Sequence, residues 1–386
     1  MRNIVLFIFT LIMATITIGS DLRSATPAPE IADATAPEAV IPVREHLTIT
    51  FVGDIMAHEM NYRHEPYDNI YADISGILDS SDLNFGNLEF VIDPGRPYSD
   101  FPVFNVKPVY VDAAISAGFN IFSLANNHTN DFGFKSALKT LESMKSLKQK
   151  HDIWYSGIFE KMSEQFVPVE IEREEWKIGF LSVAGFLNRP QKEAHINVVN
   201  YSNPEARSEF IELIASKADN YDLFILSFHG GKEYSLEPSA AKAEFFQDLV
   251  NAGVDIVWGH HPHVLQPWNL QTVDGLNKLI LNSTGNFISG QIWFMNPVKP
   301  DKRRTYTGDS AIFRISLKAT ERGLDIVHVH PILISNYKHK EQGMVVRRFP
   351  GLTDGSLSKE WTTYYRDRFE AISRLAAVAS TYSFLR

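Results

Sequence analysis

The sequence predicts an α/β protein in which a layered sheet core is flanked by helices. Short apolar runs rich in β-branched residues alternate with amphipathic segments, which is typical of βαβ units and a mainly parallel sheet. The runs are continuously apolar, as parallel strands covered on both faces are. Leu47–Val52 (LTITFV) and Tyr221–Phe228 (YDLFILSF) are the clearest examples.

The individual elements follow from apolar periodicity and from the residues that interrupt it. Strands are predicted at Leu47–Val52, Leu83–Phe85, Phe119–Leu124, Lys177–Ser182, Tyr221–Phe228, Val254–Trp258, Leu279–Asn282, Ser310–Leu317 and Leu324–Leu333. Helices are predicted at Tyr71–Leu78, Pro108–Ala117, Phe134–Leu147, Ser239–Ala252 and Trp361–Ala377. Gly118 and Gly253 directly follow two of these helices and are typical helix ends.

Composition limits the function classes. The chain has 386 residues, of which 44% are hydrophobic, so it is long enough to bury a large core. The net charge of −9 gives no sign of the basic face that nucleic-acid binding requires. The absence of cysteine excludes disulfides, thiolate metal sites and a cysteine nucleophile.

The N-terminal part predicts export. Residues 1–24 are interpreted as a signal peptide, because the apolar run Ile4–Ile18 is short for a membrane span of about 20 residues. An uncleaved membrane anchor is the alternative, and both place the protein in the periplasm or at the cell surface. Residues 25–44, rich in Ala, Pro and Thr, predict a disordered linker. Residues 45–340 form the predicted main domain, and 341–386 a C-terminal extension with a helix.

Polar clusters follow five of the predicted strands. They are Gly53-Asp54, Gly86–Glu89, Asn126–His128, Phe228–Gly231 and Gly259–His263. Because sites in such folds form at the carboxyl ends of strands, we expect these side chains to converge. Their carboxylates, amide and imidazoles are the ligands that Mn, Zn, Fe or Mg ions prefer.

His261-Pro262-His263 is the sharpest local signal, since the proline fixes the backbone between two imidazoles. His128 adjoins the predicted ligand Asn127, so it is placed to protonate a leaving group. Two rival chemistries have less support. The nucleophile elbow Gly-x-Ser-x-Gly is absent. Asp54 and Glu89 as a glycosidase pair would leave the histidines without a role.

The ordered motifs resemble those of the calcineurin-like metallophosphoesterases, and specifically the CapA-type capsule and poly-γ-glutamate synthesis proteins. The resemblance covers about residues 47–290. It is carried by GDIM (Gly53–Met56), GNLE (Gly86–Glu89), SLANNH (Ser123–His128), GHHPHVLQ (Gly259–Gln266) and STGNF (Ser283–Phe287).

The resemblance implies two divalent metal ions and a role for each matching residue. The implied ligands are Asp54, Glu89, Asn127, His229, His261 and His263, with His128 as the catalytic acid. Either Glu89 or Asn87 takes the bridging position, and His260 either supports a ligand or exchanges roles with His261. Further contacts to ligands or substrate are expected from Asn87, Asn126, His260, Glu233, Tyr234 and Asn286.

The sequence also departs from the family pattern. Met56 stands where many phosphoesterases have a histidine, and Gly230 stands where CapA-type proteins often have tryptophan. Three functions remain open at this stage. The first is a metal-dependent hydrolase that acts on an anionic polymer or its phosphate- or amide-linked precursor, beside membrane-bound synthesis machinery. The others are a non-catalytic component of polymer assembly or export, and a general secreted phosphoesterase.

Overall fold

A computed structural model of the chain describes residues 46–191, 195–291, 295–298 and 305–377. The predicted signal or anchor segment and the linker lie outside these residues. The described residues all belong to one unit, which begins at Arg44. None of their helices is long and apolar enough to cross a membrane.

Strands occur at every position where the sequence predicts one, and several more are present. In chain order they are β1 (His46–Ile55), β2 (Leu83–Leu88), β3 (Val91–Ile92), β4 (Asn105–Val106), β5 (Ile121–Ser123), β6 (Trp154–Ser156), β7 (Val169–Arg173), β8 (Trp176–Ala184), β9 (Leu223–His229), β10 (Ile256–His260), β11 (Trp268–Val273), β12 (Leu276–Leu281), β13 (Asn286–Ile288), β14 (Asp309–Thr320), β15 (Gly323–His339) and β16 (Gly343–Arg348).

Four of the five predicted helices are present within two residues of their expected ends. The helices are α1 (Glu59–Tyr62), α2 (Ser75–Leu78), α3 (Pro108–Ser116), α4 (Phe134–Lys148), α5 (Pro204–Ala218), α6 (Ala240–Asn251), α7 (Pro350–Thr353) and α8 (Lys359–Ala376). The helix predicted at Tyr71–Leu78 is wrong in extent. Residues 71–74 form turns, and only Ser75–Leu78 is helical. Tyr71, Ile74 and Leu78 are nevertheless buried, so a turn followed by a short helix can bury apolar residues that have helical spacing.

The strands form two main sheets, where the sequence had indicated one. The first has the order β16-β15-β14-β1-β2-β5-β6, with β13 also pairing with β1. The second has the order β11-β12-β10-β9-β8-β7. Pairing is parallel along β1-β2-β5-β6 and along β8-β9-β10-β12, as predicted, whereas β7, β11 and β14 to β16 pair antiparallel. Periodicity alone could not separate the two sheets, because strands buried on both faces look alike in either.

The sheets pack face to face, with a helical layer outside each. The core between them contains Phe51 and Phe85 from the first sheet and Phe180 and Trp258 from the second. Phe85 contacts Phe180 with ring centroids 5.3 Å apart. Residues of α3 and α4 pack on the outer side of the first sheet, and residues of α5 and α6 on the second. The result is a four-layer α/β/β/α sandwich.

Strand register brings the polar clusters to one edge. Asp54 in β1 lies opposite Asn87 in β2, and His229 in β9 lies opposite His260 in β10. Close approach of β1 to the 284–286 segment requires Gly53, since a Cβ there would lie 1.9 Å from the Gly285 carbonyl oxygen. The glycine before Asp54 therefore has a structural role as well as a place in the motif.

The C-terminal helix α8 is fastened to the first sheet by a buried ion pair. Arg368 in α8 is 2.6 Å from Asp309 at the start of β14, and both side chains are buried. We expect Arg368→Ala to destabilise the protein by about 3–5 kcal/mol, because it leaves the Asp309 carboxylate buried without its partner. Chemical denaturation measures the loss. Arg374→Ala, at an exposed position of the same helix, is the control and should leave the midpoint unchanged. Equal effects of the two variants would contradict this role of the pair.

Candidate metal centre

The ends of the central strands place carboxylates and imidazoles together between the two sheets. Asp54 belongs to β1, Glu89 directly follows β2, and His229 ends β9. His261 and His263 belong to the loop that follows β10. All five side chains are buried. The convergence expected from the sequence is therefore present in the fold.

These buried residues carry polar atoms that lack hydrogen-bond partners among the described residues. The atoms are both carboxylate oxygens of Glu89 and His261 Nδ1. Burying an unpaired carboxylate is costly unless a cation neutralises it. Oxygen and imidazole donors in this combination suit a divalent metal ion. The donor set thus fits the group that the sequence predicts.

Two groups of donors share one carboxylate. Asp54, Glu89 and His263 have ligand atoms within 4.8 Å of one another, and we call this group site A. Glu89, His229 and His261 form a second such group, site B. Asn127 Oδ1 lies 2.8 Å from His229 Nε2 and adds a fourth donor to site B. Glu89 belongs to both sites, so it occupies the position of a bridging ligand.

The electrostatics of the two sites differ. Burial and the neighbouring Asp54 carboxylate raise the pKa of Glu89 well above its usual value. Burial, together with His263, lowers the pKa of His261 to about 3, and burial also lowers that of His229. Both imidazoles of site B are therefore neutral, the form that binds metal.

In site A the negative charges of the two carboxylates have a larger effect on the pKa of His263 than burial has. Burial alone would lower the pKa of His263, but Glu89 and a hydrogen bond to Asp54 raise it to about 9. Burial would raise the pKa of Asp54, but His263 and His260 hold it below its usual value. The metal-free site A thus holds a proton on His263, which a bound cation would displace.

Two of the predicted supporting residues contact ligands directly. Asn87 Nδ2 donates to Asp54 Oδ1 at 2.8 Å and lies 3.3 Å from His229 Nδ1. Asn286 Oδ1 lies 2.9 Å from His263 Nδ1, and its own amide donates to the Thr307 carbonyl. His263 Nδ1 thus faces both Asn286 and Asp54 Oδ2, the latter at 3.2 Å, while Nε2 lies 3.8 Å from Glu89. Asn87 contacts two predicted ligands, and Glu89 is the residue common to both groups of donors.

His260 lies next to Asp54 but belongs to neither site A nor site B. Its Nδ1 is 3.5 Å from Asp54 Oδ1, and its ring stands edge-on to Trp258 at 4.1 Å. Burial lowers the pKa of His260 to about 3. His260 thus contacts the predicted ligand Asp54, whereas His261 is the one of the two that belongs to a group of donors.

The loop that carries His261 and His263 has unusual backbone geometry. The φ angles are +88° at His261 and +58° at His263, in the left-handed region that is costly for side chains other than glycine. Surrounding contacts hold the loop in place. One of them is a hydrogen bond from the Tyr234 amide to the Pro262 carbonyl at 2.8 Å.

A His–Asp pair lies beside the two sites. His128 Nδ1 donates to Asp131 Oδ2 at 2.7 Å, and that oxygen also accepts from the Phe104 amide. Asn126, next to Asn127, donates to the Leu88 carbonyl at 2.7 Å and joins this loop to the end of β2. The predicted acid is thus oriented by a buried carboxylate that sequence reasoning missed. Its signal was available, since Asp131 stands three residues after His128.

The segment after β8 also reaches the site and was missed. Phe186 stands edge-on to the His261 ring at 5.0 Å. Asn188 has its amide nitrogen 3.4 Å from His128 Nε2, and its amide oxygen accepts from Asn127 at 3.3 Å. Only the tertiary fold brings this segment to the site, so local sequence gave no signal for it.

Three further positions complete the surroundings. Met56 is buried in the apolar core, where its sulfur accepts from Ser289 Oγ at 3.6 Å. His58 accepts at Nδ1 from the Gly290 amide, and burial lowers its pKa to about 4. His58 belongs to none of the three groups of donors. Tyr234 lies with its ring 6.2 Å from that of His263.

Fold and site together define an α/β/β/α sandwich protein with a carboxylate–imidazole cluster suited to divalent metal. Residues 48–291 match the family of bacterial capsule synthesis proteins named PGA_cap. The chain is 30% identical over 316 residues to the capsule biosynthesis protein CapA of Bacillus anthracis, covering 77% of this chain and 71% of that protein. It is 28% identical to the PGA biosynthesis protein CapA of Bacillus subtilis, covering 72% and 69%. The protein therefore belongs to the PGA_cap family of bacterial capsule synthesis proteins.

Solved structures give weaker similarity. The calcineurin-like phosphoesterase YfkN from Bacillus subtilis has a TM-score of 0.42 at 14% identity, covering 86% of this chain and 99% of that one. A hypothetical protein from Thermus thermophilus has a TM-score of 0.44 at 16% identity, covering 74% and 98%. The family assignment rests on the sequence matches.

Proposed function

We propose that this protein is a metal-dependent hydrolase that takes part in the synthesis or export of a capsule or poly-γ-glutamate polymer. The observation that carries the proposal is the shared position of Glu89 between two groups of buried donors. Two ions held by these donors would polarise a substrate oxygen and would lower the pKa of a bound water. The family supports the biological setting, and the site supports the reaction class.

The chain's own residues supply the rest of the chemistry. His128 is oriented by Asp131, which accepts from Nδ1 and leaves Nε2 as the nitrogen that would protonate a leaving group. A protonated His128 is stabilised by the Asp131 carboxylate and can donate its Nε2 proton. Phe186 contacts His261, and Asn188 contacts His128, so both lie next to this chemistry.

The substrate that we propose is an anionic polymer or its phosphate- or amide-linked precursor, handled beside membrane-bound synthesis machinery. The names of the two CapA relatives support this choice. We also propose an exported location, periplasmic or at the cell surface, because Ile4–Ile18 has the length and apolar character of a signal segment. Cell fractionation that recovers the full-length chain in the cytoplasm would overturn the location.

We expect the two ions to bind with unequal affinity. Site B has four donors among the described residues, Glu89, Asn127, His229 and His261, whereas site A has Asp54, Glu89 and His263 with fewer imidazoles. Fewer donors and fewer imidazoles weaken binding of transition metals. Calorimetric titration of chelator-treated protein with Mn²⁺ should show two steps. A single binding step, in which two ions bind with equal affinity, would contradict the assignment of donors to the two sites.

The function is tested by metal analysis of the purified protein followed by a turnover screen. The screen uses a chromogenic phosphodiester and a γ-glutamyl amide, each with the metal-loaded and the chelator-treated protein. We expect bound metal and metal-dependent hydrolysis of one substrate class. Bound metal without turnover of either would favour a non-catalytic assembly component, and phosphodiester turnover without any effect of gene deletion on polymer yield would favour a general phosphoesterase.

A further inference from the structure

We propose that Glu233 is a further metal ligand, which approaches the ion at site A from the solvent side. The inference rests on the proposed metal centre and makes a direct metal ligand of a residue that the family resemblance implies only as a contact to ligands or substrate. Glu233 belongs to the loop after β9, in the sequence Lys232-Glu233-Tyr234.

The position of Glu233 differs from that of the other acidic donors. Its carboxylate lies within 4.8 Å of ligand atoms of both His261 and His263, as a third group of donors. The two histidines are buried, whereas Glu233 is exposed. A ligand atom this close to two others can share an ion with either of them, because metal–oxygen and metal–nitrogen bonds are about 2.0–2.2 Å. Glu233 therefore stands at the mouth of the centre.

The number of donors indicates which ion Glu233 would bind. His263, one of its two neighbouring donors, belongs to site A, whose group of donors is Asp54, Glu89 and His263. Site B already has a fourth donor among the described residues, because Asn127 lies next to His229. Glu233 would therefore add a fourth donor to site A.

Two hydrogen bonds hold the loop after β9 next to the segment that contains His261 and His263. Tyr234, the next residue, has a φ angle of +60° and donates its amide to the Pro262 carbonyl at 2.8 Å. One residue further, the Ser235 carbonyl accepts from the Gln266 amide at 2.8 Å. Both contacts join the Glu233 loop to the segment that contains His261 and His263. These contacts fix the backbone of the loop, and the Glu233 side chain extends from it at an exposed position.

The experiment compares wild type with Glu233→Gln, which keeps the size of the side chain and removes its charge. Glu237→Gln is the matched control, because Glu237 is an exposed carboxylate of the same loop outside all three groups. Chelator-treated proteins are titrated with Co²⁺, and the visible d–d spectrum reports the coordination of each ion. We expect Glu233→Gln to weaken the lower-affinity step at least about 10-fold and to change its spectrum. The higher-affinity step and the control should match wild type.

The outcomes separate this inference from the proposed function. Wild type that binds no Co²⁺ would defeat the metal centre itself. Wild type that binds two ions, with Glu233→Gln giving the same affinities and spectra, would overturn only the role of Glu233. Unchanged metal binding with a raised KM would also overturn it and would assign the carboxylate to substrate contact.

Discussion

Glu89→Gln should weaken the binding of both metal ions, an effect that no other single substitution in the centre is expected to have. Glu89 is the one carboxylate that belongs to both buried groups of donors. An amide oxygen in its place is neutral and bridges two cations poorly. We expect each affinity to fall by about 100-fold. When the metal concentration is 100-fold above the wild-type Kd, this removes about 2.3 kcal/mol of metal-dependent stabilisation for each ion.

The metal-free protein should respond in the opposite direction. Both oxygens of Glu89 are buried without a hydrogen-bond partner among the described residues, so their ionisation opposes folding. Glu89→Gln should therefore leave the stability of the chelator-treated protein unchanged or raise it. Thermal unfolding with and without Mn²⁺ measures both effects.

Asp255→Asn provides the matched control for a buried carboxylate. Asp255 is paired with Lys278 at a distance from the centre and also accepts from the Phe224 amide at 2.5 Å. Its replacement should destabilise the protein equally with and without metal. If Glu89→Gln behaves in that way, Glu89 is a packing residue and the bridging role is wrong.

His128→Ala should retain both ions while turnover falls by about 10²–10⁴-fold, the usual contribution of a general acid. His128 has its Nδ1 bound to Asp131 and belongs to neither group of metal donors. Asp131→Asn should give a smaller loss of kcat, because the amide no longer stabilises a protonated imidazole or fixes its tautomer. The pH profile of kcat should shift as well, which a purely structural role of Asp131 would not produce.

A second His–Asp pair supplies the control for His128. His151 Nε2 lies 2.8 Å from Asp112 on the outer helical layer, and His151→Ala should affect neither metal content nor turnover. Equal loss of metal from His128→Ala and His261→Ala would remove His128 from the acid role. If His128→Ala keeps wild-type turnover, the acid role is wrong and a non-catalytic role in polymer assembly is favoured.

The sequence predicted the central strands and the convergence of the site because both depend on local signals. Apolar runs such as Leu223–His229 end in polar residues, and parallel strands bring those ends to one edge. The resemblance to CapA-type proteins then assigned a role to each cluster. The assignment of these residues as metal ligands stays a prediction until a metal is measured.

The parts that were missed depend on tertiary placement. The strands divide into two sheets that pack face to face, as the contact between Phe85 and Phe180 shows. A contact between distant segments cannot be predicted from the sequence of either segment alone. Asn188 enters the site from a loop 60 residues away from His128 in the chain. The shorter helix at Ser75–Leu78 shows that turns can bury the same apolar residues as a helix.

A crystal structure of Mn²⁺-soaked protein, with anomalous scattering recorded at the manganese edge, would locate the ions directly. We expect two anomalous peaks at the shared edge of the sheets, about 3.5–4 Å apart, with Glu89 bonded to both ions. Asp54 and His263 should contact one ion, and Asn127, His229 and His261 the other. A single peak, or two peaks with Glu89 bonded to neither, would contradict the assignment of Glu89 as the shared ligand.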